Sequence, residues 1–421
     1  MANPVNELPV NDLSTALLRI ISFEIDGLFG GPSFEIEFPA GGGKDQDPSV
    51  LILSGRNGTG KTTILRMIRG MLRLDFNEFR KVPFRSASLK LSNGDEVGIE
   101  RLNSTEFPLR MTYNASSVNL GTTQRTEYSP DHRASIDAIR DVALPILGTV
   151  HYNLLELDRL PLRDRLTAEE RTVLQNYVPS AARRRPKSLA DRVAEFVRDA
   201  QVNYRRFFRE ESLGFLPRIL DRLNPTVTQP TAHELKSRIA DIRETYSQTK
   251  RFGLILEEDQ LAILDSLLDS DTYRSPQQLV LIETYVEAQE NAQRARDLIA
   301  TRLQSFEAIM AEFLIGKTVM IDARRGLVIS TEQGPLTEEQ LSSGEYHFLC
   351  MMVAALLCQR VGSIIAIDEP ELSLHVSWQR KLVSALATCA AGSSPLFLFA
   401  THSLAIASEH ADCVLTLSAI D

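Results

Sequence analysis

Gly55-Arg56-Asn57-Gly58-Thr59-Gly60-Lys61-Thr62 fits the spacing GxxxxGK[ST], and Thr63 follows it. An apolar run, Ser49–Leu53, precedes the motif. Helical periodicity follows over Thr62–Leu74, carried by Ile64, Leu65, Ile68, Met71 and Leu72. A strand–turn–helix of this composition binds phosphate. Its glycines let successive backbone N–H groups turn inward on anionic oxygens, and the helix N-terminus adds the positive end of its dipole. On this reading Asn57, Gly58, Thr59, Gly60 and Thr63 belong to the cradle. Lys61 reaches the β- and γ-phosphates, and Thr62 offers its hydroxyl to Mg2+. A phosphate cradle alone does not choose between a kinase, a GTPase and an ATPase.

The far end of the chain narrows the choice. Ile364-Ile365-Ala366-Ile367-Asp368-Glu369 is an apolar strand ending in two carboxylates. In a parallel sheet that strand end lies near the cradle, so Asp368 suits the Mg2+ shell and Glu369 is placed to polarise an attacking water. A second carboxylate directly after the metal-binding one points to hydrolysis rather than transfer to a substrate. Leu341-Ser342-Ser343-Gly344-Glu345 opens an apolar helix and is an anion site by the same physics. One nucleotide does not need two such sites, so the second is expected to serve a nucleotide held by another subunit. Ala400-Thr401-His402-Ser403 follows the last apolar strand, where an imidazole could contact a γ-phosphate and sense its loss.

The elements that position these residues divide the chain in three. Residues 1–155 read as mixed α/β, with strands at Leu17–Phe23, Phe34–Phe38 and Ser49–Leu53. Lys81–Leu102 alternates like strands around an Asn93-Gly94 hairpin signal. Residues 156–315 are charged, helical and poor in glycine. Tyr285, Ala288, Ala292, Ala295, Ile299, Phe306, Ile309 and Phe313 fall on a three–four spacing, which suits either a coiled coil or a long amphipathic helix in a bundle. Residues 316–421 return to α/β, with strands at Thr318–Ile321, Leu327–Ser330, Ile364–Ile367 and Leu396–Phe399 and an apolar helix over Ser343–Cys358. The near-continuous apolar runs among them suit a parallel sheet covered on both faces.

The order of P-loop, Leu341–Glu345, Asp368-Glu369 and His402 resembles the heads of ABC-type ATPases. It is closer to the branch that contains the SMC proteins, RecF and the OLD-family ATPases. Asp368-Glu369-Pro370-Glu371-Leu372-Ser373-Leu374-His375 resembles OLD-like and related bacterial anti-phage defence ATPases more than transporters. The motif-bearing segments are roughly the first 75 and the last 105 residues. The resemblance implies an α/β P-loop head assembled from N- and C-terminal lobes, with the middle as a helical insertion or arm. It implies two heads closing on two ATP molecules with Mg2+, as a homodimer or higher homo-oligomer. Carried over, Lys61 and Thr62 bind phosphate and Mg2+, Asp368 joins the metal shell, Glu369 is the catalytic base and His402 senses the γ-phosphate. Ser342, Ser343 and Gly344 contact the partner's ATP. Ser343 and Glu345 stand where many members have Gly and Gln, and His375 stands where many carry Asp. Gln124 is the candidate for the Q-loop glutamine.

The resemblance also sets the expected role: a sensor or regulator in anti-phage defence. OLD nucleases continue into a Toprim domain, whereas this chain ends 19 residues after His402, so the nuclease or toxin is expected as a separate polypeptide. The rivals are a DNA repair ATPase like RecF or SMC, and a scaffold that uses ATP only to assemble. No NKxD guanine-specificity motif is present, which disfavours a GTPase.

Composition bounds these readings. With 421 residues the chain is too long for a disulfide-stapled miniprotein, and 43% hydrophobic residues supply a core. Cys350, Cys358, Cys389 and Cys413 form no CxxC pair and read as reduced buried thiols. The polar N-terminus lacks the pattern of a signal peptide, and the longest apolar stretch, Phe348–Cys358, is too short to span a bilayer. The expectation is a cytoplasmic protein without membrane contact.

A formal net charge of −9 excludes a general polycation but hides an uneven distribution. Residues 156–251 hold 20 Lys/Arg against 14 Asp/Glu, and residues 252–315 hold 4 against 12. Arg183-Arg184-Arg185-Pro186-Lys187 and Arg205-Arg206 are the densest basic parts. Two readings are open. The basic part could bind DNA or RNA, with Tyr204, Phe207 and Phe208 stacking on bases. The acidic part would then be an arm that docks a partner. Alternatively the two halves are antiparallel neighbours that pair their charges, or solvated faces.

Overall fold

Strands without polar alternation need cover on both faces, and Ile364–Asp368 and Leu396–Thr401 are buried at every residue. The computed structural model describes residues 18–39, 49–121, 130–157, 188–213, 230–254, 258–269 and 275–417. Two compact units divide the chain: one within residues 183–340, the other from residues 13–182 together with 341–421.

The second of these carries the motifs. In chain order its first part runs β1 (Ile20–Asp26), β2 (Phe34–Glu37), β3 (Val50–Ser54), α1 (Lys61–Arg73), α2 (Asn77–Lys81), β4 (Ser86–Leu91), β5 (Glu96–Arg101), β6 (Leu109–Tyr113), β7 (Ser116–Leu120), α3 (Pro130–Leu147) and β8 (Tyr152–Glu156). The intervening unit holds α4 (Leu189–Leu213), α5 (Ala232–Thr249), α6 (Glu258–Asp269), α7 (Pro276–Phe313), β9 (Thr318–Asp322), β10 (Gly326–Thr331) and β11 (Gly334–Leu336). The motif-bearing unit resumes with α8 (Ser343–Leu356), β12 (Ile364–Asp368), α9 (Val376–Cys389), β13 (Leu396–Thr401), α10 (Leu404–Glu409) and β14 (Val414–Thr416).

Two sheets build the motif-bearing unit. One is antiparallel, in the order β2-β1-β4-β5-β6-β7, with Gly94 at φ 90° in the turn that the Asn93-Gly94 signal marks. The other is parallel, in the order β14-β3-β13-β12-β8. Residues far apart in sequence meet in its register: Thr401 pairs with Ser54, and Asp368 pairs with both Ala400 and Glu156. The carboxyl ends of β3, β13, β12 and β8 therefore form one edge, where ligands of open parallel sheets bind. Ile64, Leu65, Ile68 and Met71 of α1 bury in the same core as Ile364, Ala366, Leu398 and Ala400 of the sheet. In α8 and α9, Met352 and Cys389 meet through their sulfurs at 3.8 Å, and Phe348 lies 5.4 Å from Trp378 between ring centres.

In the other unit, α7 is 38 residues long and starts nine residues earlier than the Tyr285 periodicity marks. Ser275 and Gln278 close a reciprocal capping box there, and Pro276 stands at the first helical position, where its missing N–H is harmless. Leu235, Ile239, Ile242, Leu264, Leu268, Ile282 and Val286 form one buried cluster between α5, α6 and α7. The strands β9–β11 belong to this unit, so its boundary falls after Gln340 rather than at the expected 315. Glu307 of α7 explains the docking: its carboxylate accepts the Ile321 N–H of β9 at 2.7 Å.

Part of the uneven charge is paired within the same unit. Arg238 of α5 makes a bidentate pair with Glu290 of α7, at 2.6 and 2.8 Å, and reaches Glu283 at 3.6 Å. Arg251 binds Glu307, and Lys236 binds Asp269. Among the described residues, three cations of the basic half, Lys236, Arg238 and Arg251, thus pair with carboxylates of the acidic half. Tyr204 is buried at 4% exposure, so its ring is core rather than a stacking platform. Arg183–Lys187 lie outside the described residues, as do the side chains of Phe207 and Phe208.

Candidate functional site

The cradle begins where β3 ends. Gly58 and Gly60 take φ of 86° and 93°, a region side chains rarely adopt. Gly60 is also crowded: a Cβ there would stand 2.7 Å from Leu28 Cδ2. Thr59 Oγ1 donates to the Arg56 carbonyl at 3.0 Å, closing the turn before α1 starts at Lys61.

Lys61 is buried, and its ammonium donates to the carbonyls of Gly55 at 2.7 Å and Arg56 at 3.1 Å. Burial pulls its pKa below the ordinary lysine value, while the carboxylates of Glu371, Glu369 and Asp368 push it back up. A desolvated cation among these groups is a strong point of attraction for an incoming phosphate.

Thr62 Oγ1 donates to Asp368 Oδ1 at 2.9 Å. The hydroxyl of the cradle and the carboxylate at the end of β12 are thus brought together across an intervening strand. A hydroxyl and one carboxylate are hard oxygen donors, the kind of partial set that Mg2+ uses when nucleotide phosphates and waters complete its octahedron. Among the described residues no group of three or more His, Cys, Asp or Glu could hold a metal. Bound there, Mg2+ would supply charge neutralisation on the phosphates.

After Asp368 the chain turns sharply. Glu369 has φ 50° and donates its N–H to the Ala400 carbonyl at 2.9 Å, tying the turn to β13. A non-glycine residue held there costs about 1–3 kcal/mol, a strain that tight surroundings must impose. Leu372 N–H returns to the Glu369 carbonyl and Leu374 N–H to that of Glu371. Gln379 then binds the loop to the His402 segment: its amide donates to the Leu374 carbonyl at 2.9 Å, and its oxygen accepts from Ser403 Oγ at 2.6 Å.

Glu371 is the residue that sequence reasoning missed. It is buried, accepts from Thr401 Oγ1 at 2.7 Å and from the His402 N–H at 2.8 Å, and lies 2.9 Å from His402 Nδ1. It stands in the Asp368–His375 phrase, but nothing local marks it as different from a solvated acid. Glu156, at the end of β8 and in register with Asp368, was also unassigned. Arg66 of α1 binds it at 2.8 Å, with Arg69 at 3.7 Å. An apolar strand ending in Glu, as in Tyr152–Glu156, was its only signal.

Ser342 caps α8. Its hydroxyl accepts from the Glu345 N–H, while the Glu345 carboxylate accepts from both the N–H and the hydroxyl of Ser342. Glu345 at this position therefore completes a capping box. Ser342 and Ser343 are exposed, and Gly344 is buried against the 369–375 loop, where a Cβ would run into the Ser373 carbonyl oxygen. His347 Nδ1 meets the Leu372 carbonyl at 3.3 Å. His375 caps α9 through the Ser377 N–H. Gln124 lies outside the described residues.

No curated protein matches the chain. Among solved structures, it is similar to an Smc head domain with an extended coiled coil, bound to the C-terminal domain of ScpA, from Pyrococcus furiosus. Identity there is 15%, coverage is 93% of this chain and 92% of that one, and the TM-score is 0.38. An SmcHead bound to the C-winged helix domain of ScpA gives 12% identity, coverage of 93% and 91%, and a TM-score of 0.38. The SMC head domain from Thermotoga maritima gives 11%, 93% and 92%, and 0.35. The family model described as "AAA domain, putative AbiEii toxin, Type IV TA system" matches residues 50–408, a span that takes in the cradle, Ser342–Gly344, Asp368, Glu369 and His402. With most of its length matched, the chain belongs to this family, AAA_21, of P-loop ATPase domains.

Proposed function

We propose that this protein is an ATPase whose heads pair to hydrolyse ATP, and that the cycle controls a separately encoded nuclease or toxin in bacterial anti-phage defence. The observation that carries the reading is the Thr62–Asp368 bond beside the buried Lys61. It assembles a phosphate cradle, a metal-binding carboxylate and the following acid, Glu369, at one sheet edge. In this reading Asn57–Thr63 hold the phosphates. Thr62 and Asp368 share the Mg2+, Glu369 takes the proton of the attacking water, and His402 contacts the γ-phosphate. The exposed Ser342 and Ser343, with the buried Gly344, offer a helix start to the nucleotide of a second head. The family's description names a toxin and a type IV toxin–antitoxin system, which supports the defence setting. Among the described residues no helix is long and apolar enough to cross a membrane. The pairing of Arg238 with Glu290 and Glu283 occupies one cation of the basic half, which weighs towards the regulatory reading over direct repair.

Subunit mixing tests the shared site. Lys61→Ala removes one head's own phosphate contact, and Ser343→Arg blocks what it offers to its partner. Each variant alone should be inactive, and an equal mixture should regain turnover, because half of each mixed dimer's sites are intact. No recovery on mixing, or full activity of Ser343→Arg alone, would contradict shared sites.

A further inference from the structure

We infer that Glu371 is a positioning residue for His402: its carboxylate holds the ring by a protonated Nδ1, so that Nε2 is turned to the nucleotide, where its own N–H donates to a phosphate oxygen. This rests on the role proposed above for His402 at the γ-phosphate. The contacts are specific. Glu371 Oε1 lies 2.8 Å from the His402 backbone nitrogen and 2.9 Å from its Nδ1, and Oε2 lies 2.7 Å from Thr401 Oγ1. An ionised carboxylate only accepts hydrogen bonds, so the Thr401 hydroxyl and the His402 N–H donate to it, and the ring Nδ1 meets it as an ion-pair contact. Thr401 can do so because its oxygen is itself an acceptor for the Ser403 N–H at 2.9 Å, which orients the hydroxyl hydrogen towards Glu371. For the imidazole, a ring nitrogen 2.9 Å from a carboxylate oxygen must carry a proton, so Nδ1 is protonated and Nε2 is the nitrogen turned away from Glu371. Phosphate oxygens only accept, so the ring that meets them is protonated on Nε2 as well.

Burial makes this fixing effective. The Glu371 side chain is 7% exposed while that of His402 is 49% exposed. The acid is therefore held inside while the base projects to the surface where a ligand arrives. The 369–375 loop carries both Glu369 and Glu371, so the proposed catalytic base and the anchor of the proposed sensor stand on one hydrogen-bonded turn. The ordinary alternative is that Glu371 merely satisfies the backbone at the end of β13. Two of its three contacts are of that kind, or nearly so, and the Nδ1 contact is the one that is not.

Two measurements decide the matter. The first uses the unaltered protein. Long-range proton–nitrogen spectra of histidine-labelled protein, with the His402 signal assigned by its loss in His402→Ala, should show Nδ1 protonated. A neutral ring protonated on Nε2 alone overturns the inference. The second is a double-mutant cycle on ATP turnover. Glu371→Ala should lower kcat by roughly 10- to 100-fold, as misplacing a reacting group does, with the KM for ATP within about two-fold. In a His402→Ala background the same change should cost nothing further. An equal loss in both backgrounds means that Glu371 acts on something other than His402, and overturns the inference. If His402→Ala itself turns over like the parent, the underlying role of His402 fails and this inference fails with it. If His402→Ala is slow and Glu371→Ala is not, only the inference fails.

Discussion

Thr62 Oγ1 and Asp368 Oδ1 share a hydrogen bond of 2.9 Å across 306 positions of sequence. The bond spans the sheet as well: β13 stands between β3 and β12, and only the first turn of α1 brings the hydroxyl over to the carboxylate. Asp368→Asn should therefore act through the cation. The gain in ATP affinity on adding Mg2+ should fall by roughly tenfold or more, the order of one lost charge-assisted contact. Affinity without Mg2+ should change little. Titrating a fluorescent ATP analogue with and without Mg2+ checks this, and an unchanged Mg2+ dependence would remove Asp368 from the metal shell.

Gly344 is a packing position as well as part of the exposed turn. A Cβ there would collide with the Ser373 carbonyl, a backbone atom that cannot swing aside. Gly344→Ala should destabilise the protein by about 1–3 kcal/mol, the usual cost of overpacking. It should also lower turnover by displacing the loop that carries Glu369. Ser343→Ala, at an exposed neighbour, should be near neutral in stability. Urea unfolding of the two variants separates them. Equal midpoints would mean that the loop yields freely.

Arg238 tests the charge pairing. Arg238 and Glu290 are each about a quarter exposed and bonded at two points. Arg238→Ala should cost about 1–2 kcal/mol, more than an exposed pair would. The exchange Arg238→Glu with Glu290→Arg should recover part of that loss. If Arg238→Ala leaves stability alone but weakens binding to DNA, the nucleic-acid reading of the basic half gains.

His151 supplies a pH dependence. Burial, and secondarily the neighbouring Arg360, hold its pKa below the ordinary histidine value. The folded state therefore binds a proton less readily than the unfolded state. Stability from this site is present above pH about 6.5 and is lost as pH falls from there towards the lowered folded value. His151→Gln should flatten the decline in thermal midpoint over that acidic range. A decline as steep as the parent's would place the sensitivity elsewhere.

What could be read from the sequence was whatever is written along the chain. Gly55–Thr62 and Asp368-Glu369 are contiguous, and their chemistry depends on spacing and on the strand that leads into each. Ser342 could be read as a helix cap because capping is a local contact. Glu371 could not be read, since its partners, Thr401 and His402, stand 30 and 31 positions away and only the parallel register of β12 and β13 brings them near. Glu156 was hidden for the same reason: it borders Asp368 through β8, an edge strand from the far side of the chain. The uneven charge was visible, but its meaning lay in pairs such as Arg238 and Glu290, 52 positions apart.

The central claim is that Glu369 completes a site that hydrolyses ATP between two heads. The direct measurement is ATP turnover and molecular mass, by light scattering, for Glu369→Gln beside the parent. The account predicts that the variant still binds ATP, loses at least roughly 100-fold in kcat, and accumulates as an ATP-dependent dimer. Turnover equal to the parent's, or a variant that stays monomeric with ATP bound, would contradict it.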